Sequence, residues 1–427
     1  MIANDLNEIF QSSYKKLHST ETALNCVIND ILLGIDNKLR ALLLVLDMSA
    51  GFDTVDHNIL LKRLHNTIGL RGFVFNWFKS YLSDREQAVS IDGIESESRP
   101  LKYGVPQGSV LGPILFNIYI MPLANLIRRH EIPFHLYADD SQKYAIFDLK
   151  DYAATVSKLD ALAQDIRVWF HANRLKGNDS KTEAMLISSK FSPVHKDQLI
   201  PITVGNSLIT QSSSIKNLGV TLDQHATLEL HIKNVARSAF LKIREISYYR
   251  RHLTMDAAKT LMHAFVTSRI DYCNSLFYGL PNNLIRKLQS VLNTAARVVT
   301  KTRKHDSITP VLYHLHWLPV KFRIQFKLLL LVFKALNGLS PAYLSDKLTL
   351  KPQSKLRSSN QKLLIVPQSN MKNYGDRSFS VAGPKLWNSL PKTLRLTSSV
   401  EIFKKNLKTH LFKNAFPASV IDRYLLN

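Results

Sequence analysis

The chain has few cysteines, little glycine and no long apolar segment, and each shortage excludes a class of protein. Its 427 residues include only Cys26 and Cys273, too few for a disulfide scaffold or a cysteine-rich zinc knuckle. Glycine and proline number 15 and 16, so the chain is neither collagen-like nor of low complexity. The longest apolar runs, 41–46 and 328–333, are far shorter than the roughly 20 residues of a membrane-spanning helix.

The first residues and the cysteine usage indicate where the protein resides. Residues 1–10 are polar and acidic, unlike the basic and then apolar start of a secretory signal. Two cysteines far apart in the chain suit a reducing compartment. We therefore expect an intracellular protein of the nucleus or the cytoplasm, which is not secreted and has no membrane partner.

Positive charge is abundant and unevenly distributed. The chain has 56 Lys and Arg against 33 Asp and Glu, a net charge of +23. Residues 1–240 contain 25 residues of each sign, so the whole excess falls in residues 241–427, with 31 basic and 8 acidic residues. A positive field of that size attracts a polyanion, usually nucleic acid. The alternative is a solvated basic surface that only keeps the protein soluble, and the neutral first part argues against it.

Apolar spacing predicts a mixed first part and a helical second part. Residues 20–40 have the spacing of a helix, residues 41–47 are a buried strand ending in an acid, and residues 133–147 alternate as a hairpin. The fold class is therefore α+β, with a basic helical region after it. The other predicted elements are helices over 57–68, 72–81, 109–129, 151–175, 229–250, 255–275, 281–301, 321–337 and 399–413, a hairpin over 86–103 and short strands between 182 and 222.

Three carboxylates are predicted at the ends of strands. Asp47 ends a strand too apolar to lie at the surface, and Asp139 and Asp140 occupy the tip of the later hairpin. A buried carboxylate must be paired, hydrogen-bonded or bound to a metal. If the hairpin lies beside the first strand, the three groups repel each other unless divalent cations neutralise them, and two Mg²⁺ ions held in this way serve nucleotidyl transfer. Taken singly, each acid is better explained as a strand-end cap or an ordinary turn.

The segment 103–116, YGVPQGSVLGPILF, is a glycine-containing loop that runs into an apolar helix. Gly104 and Gly108 let the backbone come close to a partner, and the free amides near Ser109 form a helix N-terminus that suits a phosphate. Gln107 can hydrogen-bond a sugar or a base edge. A plain helix-capping loop is the alternative.

Two further sets of residues are expected to be structural. Asp53 and Asp56 are expected to cap the helix that begins near His57. The tryptophans are expected to anchor the core, and these are Trp77, Trp169, Trp317 and Trp387.

In chain order, these segments resemble the motifs of the reverse transcriptases of LINE-type, non-LTR retrotransposons, and within them the jockey-like group. LDMSAGFDTVDHNILLKRL (46–64) is similar to motif A, whose first acid binds both metals; here that acid is Asp47. Phe52 matches the aromatic that serves the family as a steric gate against a ribose 2′-hydroxyl. The chain departs from the family at Gly51, where an alanine is more usual.

Motifs B and C follow at the expected positions. YGVPQGSVLGPILFNIY (103–119) resembles motif B, and Gln107 and Gly108 match the residues that touch the template and the incoming nucleotide. YADD (137–140) resembles motif C, so the resemblance makes Asp139 the second metal ligand.

The resemblance continues to both ends of the chain. NRLKGNDSKTEAMLI (173–187) is similar to motif D, whose lysine is taken as a proton donor to pyrophosphate and is here Lys181. QSSYKKLHSTETAL (11–24) resembles the last fingers segment, with Lys15 where the family has an arginine that helps to hold the triphosphate. Further matches are IKNLGVTLD (215–223) to motif E, and YCNSLFYGLP (272–281) and SFSVAGPKLWNSLP (378–391) to the thumb and C-terminal region.

The resemblance implies the fold, the cofactor and the partners. The fold is a right-hand polymerase palm, an antiparallel sheet with packed helices, followed by a helical thumb and a basic C-terminal region. Two Mg²⁺ ions are expected on Asp47 and Asp139, with Asp140 shaping the site or lending a further ligand. The partners are an RNA template, a DNA primer or target, and deoxynucleoside triphosphates. The implied division is a fingers remnant at 1–40, the palm at 41–225, the thumb at 226–340 and the basic region at 341–427, with more fingers and an endonuclease domain missing upstream.

Three functions compete at this point. The first is an RNA-directed DNA polymerase that extends a primer 3′-hydroxyl by two-metal nucleotidyl transfer. The second is a catalytically inactive, truncated retroelement remnant that only binds nucleic acid. The third, an RNA-dependent RNA polymerase, conflicts with Phe52, because RNA synthesis needs room for the 2′-hydroxyl.

Overall fold

The structure, a computed structural model, describes residues 8–194, 198–352 and 361–418. Its helices are α1 (Thr20–Asp36), α2 (His57–Asn66), α3 (Gly72–Leu82), α4 (Gly112–Arg129), α5 (Tyr152–Ala172), α6 (Glu229–Tyr249), α7 (Met255–Met262), α8 (Ser268–Asp271), α9 (Asn282–Thr300), α10 (Thr309–His314), α11 (Val320–Leu336), α12 (Ala342–Ser345), α13 (Phe379–Asn388), α14 (Lys392–Arg395) and α15 (Val400–Ala415). Its strands are β1 (Arg40–Leu46), β2 (Met48–Ser49), β3 (Glu86–Gln87), β4 (Ser90–Ile91), β5 (Ile94–Glu95), β6 (Arg99–Pro100), β7 (Phe134–Tyr137), β8 (Asp140–Phe147), β9 (Lys176–Gly177), β10 (Glu183–Ile187), β11 (Ile202–Val204), β12 (Ser207–Ile209), β13 (Ser214–Asn217) and β14 (Val220–Asp223).

Several helices begin where a side chain accepts a hydrogen bond from one of the first free backbone amides of the helix. Asp56 precedes α2 and accepts a hydrogen bond from the amide of Ile59 at 3.0 Å, which confirms it as the cap. Helix α4 begins at Gly112, three residues later than predicted. The hydroxyl of Ser109 accepts from the Gly112 amide at 2.9 Å and donates to the carbonyl of Pro106 at 2.7 Å, so these residues form a tight turn in front of the helix.

The chain folds into two compact units. The first consists of residues 1–19, 40–186 and 191–213, and the second of residues 20–39, 187–190 and 214–427. Both sheet and helix are present, so a mixed fold is confirmed. Among the helices within the described residues, none is both long and apolar enough to cross a bilayer.

The first unit is built on a four-stranded sheet with the order β10, β1, β8, β7. Strand β1 pairs antiparallel with β8 along its full length, from Arg40 opposite Phe147 to Leu46 opposite Ser141. Six of the seven residues of β1 are buried, which confirms the predicted buried strand. Apolar side chains of α2, α4 and α5 pack with Leu46 and its neighbours in one core.

The second unit is predominantly helical, with one hairpin formed by β13 and β14. Helix α6 packs on α9, and α11 packs on α13 and α15. Aromatic side chains fill the contact between α11 and α15, where the rings of Phe333 and Phe403 stack with centroids 4.1 Å apart. The predicted helix 255–275 is interrupted, because a π-helical turn at His263–Thr267 separates α7 from α8.

Helix α1 belongs to the second unit, although the resemblance grouped it with the fingers remnant at 1–40. The carboxylate of Asp36, at its C-terminal end, accepts hydrogen bonds from the amides of Asn370, Met371 and Gly375 at 2.9, 2.6 and 3.2 Å. These contacts are more than 330 residues apart in sequence, so local patterns could not predict them. The functional labels given to the four segments stay predictions.

Candidate active site

The three predicted carboxylates lie at the same end of the sheet. Leu46 is the partner of Ser141, so Asp47 is one residue beyond β1 and beside Asp140 at the start of β8. Asp139 lies in the tight turn between β7 and β8. The hairpin therefore lies beside the first strand, and this was the condition under which the three acids were expected to lie close together.

Burial and mutual repulsion disfavour the charged forms of two of these groups. Burial, followed by the charges of Asp139 and Asp47, raises the pKa of Asp140 to about 6. Burial also raises the pKa of Asp139; the charge of Asp47 adds to this effect, while a backbone hydrogen bond and Lys181 oppose it. The strand pairing thus brings the three carboxylates into one cluster, in which the charge of Asp47 acts on Asp139 and Asp140.

Lys181 is brought to this cluster by the segment after α5. Strands β2 and β9 pair, and the amide of Asn178 donates to the carbonyl of Asp47 at 3.0 Å. The short helical turn Asp179–Lys181 is thereby held next to the acids, and Lys181 Nζ lies 3.7 Å from Asp47 Oδ2. The lysine side chain is 70% exposed, so its ammonium group is free to move toward a bound ligand.

The loop at 103–108 packs along the segment that follows Asp47. The amides of Gly104 and Val105 donate to the carbonyls of Val55 and Phe52 at 2.8 and 2.9 Å. Gly104 has a φ of +89°, and a Cβ there would lie 2.9 Å from the carbonyl oxygen of Asp53, so only glycine fits. The backbone at Gly104 thus makes the predicted close approach, and its partner is the backbone of Asp53.

Gln107 and Gly108 lie at the exposed tip of that loop. Gln107 Nε2 donates to Asp53 Oδ1 at 2.8 Å. Asp53 is therefore a partner of the loop, and the expectation that it caps α2 is wrong, because Asp56 occupies that position. Gly108 has a φ of +81° and open space around it, so its conformation favours glycine while its surface stays free.

The ring of Phe52, five residues after Asp47, packs against two other aromatic rings. Its ring stacks on that of Phe116 with centroids 4.3 Å apart and planes at 18°, and Tyr14 meets it edge-on at 6.2 Å. A Cβ built on Gly51 would lie 3.1 Å from the Phe116 ring and 3.7 Å from Asp139 Cβ. The glycine in place of the family's usual alanine therefore brings the backbone close to Phe116 and to the turn carrying Asp139.

Lys15, another predicted site residue, has its partner within its own N-terminal segment. Its ammonium donates to the backbone carbonyl of Glu8, within the same N-terminal segment. Burial lowers the pKa of Lys15, and the charge of Glu8 partly offsets this effect. A role in holding a triphosphate stays a prediction for this residue.

The cluster has the donor chemistry of a divalent-cation site. Asp47 Oδ2 is buried and accepts no hydrogen bond, and Lys181 Nζ, 3.7 Å away, is a cation beside it at ion-pair distance. A buried carboxylate oxygen in this situation can still accept a cation ligand. Across 8–194, 198–352 and 361–418, no three Asp, Glu, His or Cys side chains are already gathered as a metal-binding group. The carboxylates therefore fit a divalent cation by their chemistry, while the described residues do not form a coordination shell.

Sequence reasoning missed a set of buried polar residues behind the hairpin. Gln11, Ser12 and Ser13 are each 1–2% exposed, and Ser12 Oγ is hydrogen-bonded to Nε2 of the buried His135 at 2.7 Å. A run of three polar residues in a chain segment without periodicity is normally a solvated loop. The available signal was that QSS begins the segment 11–24 with its family resemblance, and this does not indicate burial.

The first half of the chain, which contains the carboxylate cluster, matches a known protein family. Residues 1–222 match the family described as reverse transcriptase (RNA-dependent DNA polymerase). The chain is 29% identical over 293 residues to the RNA-directed DNA polymerase from mobile element jockey of Drosophila funebris, covering 66% of this chain and 31% of that protein. The counterpart from Drosophila melanogaster is 26% identical over 279 residues, covering 64% and 29%. The chain thus spans about a third of the length of these relatives.

Solved structures give only a weak likeness. A telomerase from Candida albicans, solved with a fragment of telomeric RNA, aligns with 76% of this chain and 51% of its own at 14% identity and a TM-score of 0.39. That score is too low for two folds to be taken as the same.

Proposed function

Because this chain belongs to the reverse transcriptase (RNA-dependent DNA polymerase) family, we propose that it extends a DNA primer on an RNA template, as part of a jockey-like, non-LTR retrotransposon. The observation that carries the proposal is the convergence of Asp47, Asp139 and Asp140 at one end of β1 and β8. The motif order along the chain supports it, since segments far apart in sequence supply the groups of one cluster.

Asp47 and Asp139 are proposed to hold two Mg²⁺ ions, with Asp140 as a further ligand or a shaping residue. Divalent cations bound there would activate the attacking hydroxyl and stabilise the leaving oxygen. Burial first, and then the charges of Asp139 and Asp47, raise the pKa of Asp140, so the cluster is unfavourable in its fully charged form without a cation. The carboxylates would therefore bind cations at neutral pH with relief of their own repulsion.

The surrounding residues are proposed to bind the substrates. Lys181, exposed beside Asp47, would donate a proton toward the leaving pyrophosphate. Gln107 and Gly108 would contact the template and the incoming nucleotide from the loop tip. Phe52 would exclude the 2′-hydroxyl of a ribonucleotide, and its stacking on Phe116 fixes the ring for that purpose.

The second unit is proposed to bind nucleic acid through its positive charge. Along one face of α6, the side chains of Arg237, Leu241, Arg244 and Tyr248 are all exposed. Their spacing of three to four residues places them in one row. Arginines neutralise phosphates, and an exposed tyrosine offers an apolar ring for a sugar or a base, so the row suits a nucleic-acid strand. We also propose that residues 41–225 form the palm and residues 226–340 the thumb, as the resemblance of their motifs implies.

Primer extension tests the proposal directly. The purified chain would be given poly(rA) primed with oligo(dT), with dTTP and Mg²⁺, and extension would be compared with the Asp139→Asn variant. Extension by the wild type alone is the expected result. Binding of the primed template without extension, under every divalent cation tried, would instead leave the chain as a nucleic-acid-binding protein.

A further inference from the structure

The turn that carries Asp139 has an unfavourable backbone conformation. It is a two-residue connection between Tyr137 and Asp140, which form the last pair of the hairpin. Ala138, its first residue, has a φ of +55°, whereas Asp139 is not among the positive-φ residues. A positive φ at the first turn position alone is the type II′ pattern, in which glycine is the favoured residue. With alanine there, the surrounding structure must hold the turn.

The N-terminal segment lies beside this hairpin like an additional strand. The amide of Leu136 donates to the carbonyl of Phe10 at 2.8 Å, and the amide of Ser12 donates to the carbonyl of Leu136 at 3.0 Å. Gln11, between these two bonds, therefore runs parallel to the last residues of β7. The backbone pairing ends before the turn, and the side chain of Gln11 continues it.

Gln11 hydrogen-bonds both backbone groups of the turn residue. Its Oε1 accepts from the amide of Ala138 at 3.1 Å, and its Nε2 faces the carbonyl of Ala138 at 3.5 Å. The residue is 2% exposed, so water does not compete for these bonds. The side-chain amide thus serves as a strand partner for the one residue whose φ is strained.

Gln11 is in turn held by the core. Its Oε1 also accepts from the amide and the hydroxyl of Ser13 at 3.0 and 2.9 Å. The side chain of Asn117, on α4, donates to the carbonyl of Ser13 at 3.1 Å. Its Oδ1 lies 3.3 Å from the Ser13 hydroxyl, whose single proton it shares with the nearer Gln11 Oε1. The orientation of the Gln11 amide is therefore fixed by a helix of the hydrophobic core.

We propose that Gln11 is a positioning residue for the carboxylate cluster. By holding Ala138 in its left-handed conformation, it keeps the adjacent Asp139 directed toward Asp47 and Asp140. This role rests on the proposed function only in that the cluster binds divalent cations; the fixing of the turn does not depend on catalysis. Asp139 is thus aligned by a residue 128 positions earlier in the chain, outside motifs A to D and in the segment 11–24 that also contains Lys15.

The test compares hydrogen-bonding with packing. Gln11→Met keeps the side-chain volume and removes the two hydrogen bonds to Ala138 together with the two from Ser13. Gln211→Met is the matched control, because Gln211 also donates to a backbone carbonyl, that of Ile200, away from the turn. Hydrogen exchange of the 136–141 segment would be measured on the metal-free chain. We expect exchange of the Ala138 amide to accelerate by about tenfold in Gln11→Met, the effect of one lost buried hydrogen bond, and to stay unchanged in Gln211→Met.

Cation binding supplies the second measurement, with Mn²⁺ as the probe in calorimetric titration. Gln11→Met should bind Mn²⁺ about tenfold more weakly than the wild type, and adding Ala138→Gly should restore most of the affinity, since glycine adopts the turn without support. If Gln11→Met does not fold, Ser13→Ala removes the hydroxyl that contacts Gln11 and Asn117 and leaves the backbone bond from Ser13 to Gln11, so it should shift both quantities in the same direction by a smaller factor.

The outcomes separate this role from the proposed function. Unchanged Ala138 exchange in Gln11→Met, or in Ser13→Ala if the first variant does not fold, would overturn the inference. Faster exchange with unchanged Mn²⁺ affinity would also overturn it, because the turn would then not control the cluster. If the wild type binds no Mn²⁺ and extends no primer, the proposed function fails, and the exchange data still decide whether Gln11 holds the turn.

Discussion

The two compact units differ in charge far more than in the way they are packed. The first contains 20 basic and 20 acidic residues, and the second 36 basic and 13 acidic residues, so the entire net charge of +23 belongs to the second. Each has its own buried apolar side chains. The electrostatic effects that matter in the two units therefore differ in range.

In the first unit, the charges that matter are few and close together. Burial, together with the charge of Asp47, raises the pKa of Asp139 and Asp140 within a net-neutral surrounding, which is a short-range effect. In the second unit, no single group dominates. Salt screens exposed charges beyond about 8 Å at physiological ionic strength, so its many cations act on whatever polyanion is near the surface. Variants of the two units should therefore fail in different assays.

The largest effect is expected from the carboxylates. Asp47→Asn or Asp139→Asn should lower the rate of primer extension by about a thousandfold or more, because a charge aimed at the reacting groups is removed. Affinity for a primed template should change by less than about twofold, since that binding is assigned to the second unit. Steady-state extension and filter binding measure the two effects.

The control for this prediction is Asp92→Asn, an exposed acid at a hairpin turn in the same unit. Extension by Asp47→Asn at a rate close to that of Asp92→Asn would remove the metal-site assignment.

A smaller effect is expected from Phe52→Ala, which removes the aromatic ring that stacks on Phe116. The preference for deoxynucleotides over ribonucleotides, taken as the ratio of the two kcat/KM values, should fall by about tenfold or more, as expected when a steric fit is lost. Phe52→Tyr keeps the ring that stacks on Phe116 and should keep the preference. An unchanged ratio in Phe52→Ala would mean that the ring only packs.

Charge reversal compares the two units directly. Arg237→Glu with Arg244→Glu in the second unit should reduce the slope of log K against log salt by about 1.4–1.8, the value for two lost phosphate contacts, and weaken binding to an RNA–DNA hybrid. Lys150→Glu with Lys158→Glu makes the same change of net charge on exposed residues of the first unit and should have little effect.

The measurement for this comparison is titration at several salt concentrations with the whole chain. A fragment that begins near residue 225 would lack α1, which the structure places in the second unit. Equal losses for the two pairs would show that only the total charge matters and that the α6 row has no special part.

The smallest effect concerns the stability of the cation-free protein. The folded state raises the pKa of Asp140 from 3.8 to about 6, so it binds that proton more tightly than the unfolded chain does. The resulting stabilisation is fully present below pH 3.8 and is lost as the pH rises through about 6. Asp140→Asn should therefore melt higher than the wild type at pH 7.5 and at the same temperature at pH 4.

The expected difference is about 1 kcal/mol after discounting for solvent screening at a partly exposed group, or about 2–4 °C in Tm. Thermal unfolding with a chelator present measures it, and Mg²⁺ should reduce the gap at pH 7.5. A gap that is the same at both pH values would point to packing rather than to charge.

Local structure could be predicted well from the sequence wherever one pattern extended over several residues. Strand β1, with its run of apolar residues, and helix α5, with its apolar spacing, are formed close to the expected bounds. Trp317 and Trp387 are buried at 3% and 1% exposure, as expected, but Trp77 is 48% exposed, and that expectation is wrong. Helix α3 is apolar on most sides, so its sequence predicts a helix without indicating which face has a partner.

The sequence by itself determined the elements, the positions of the acids at their ends and the imbalance of charge, because these depend on neighbours within a few residues or on composition alone. Only the tertiary structure decided that β8 pairs with β1 in the register that joins Asp47 to Asp140, that Asp53 meets Gln107, and that α1 belongs to the second unit. Gln11 and Ala138 are hydrogen-bonded across 127 residues. Such contacts are selected by the packing of the whole core and by the need of each buried polar group for a partner, and neither is expressed in any short stretch of sequence.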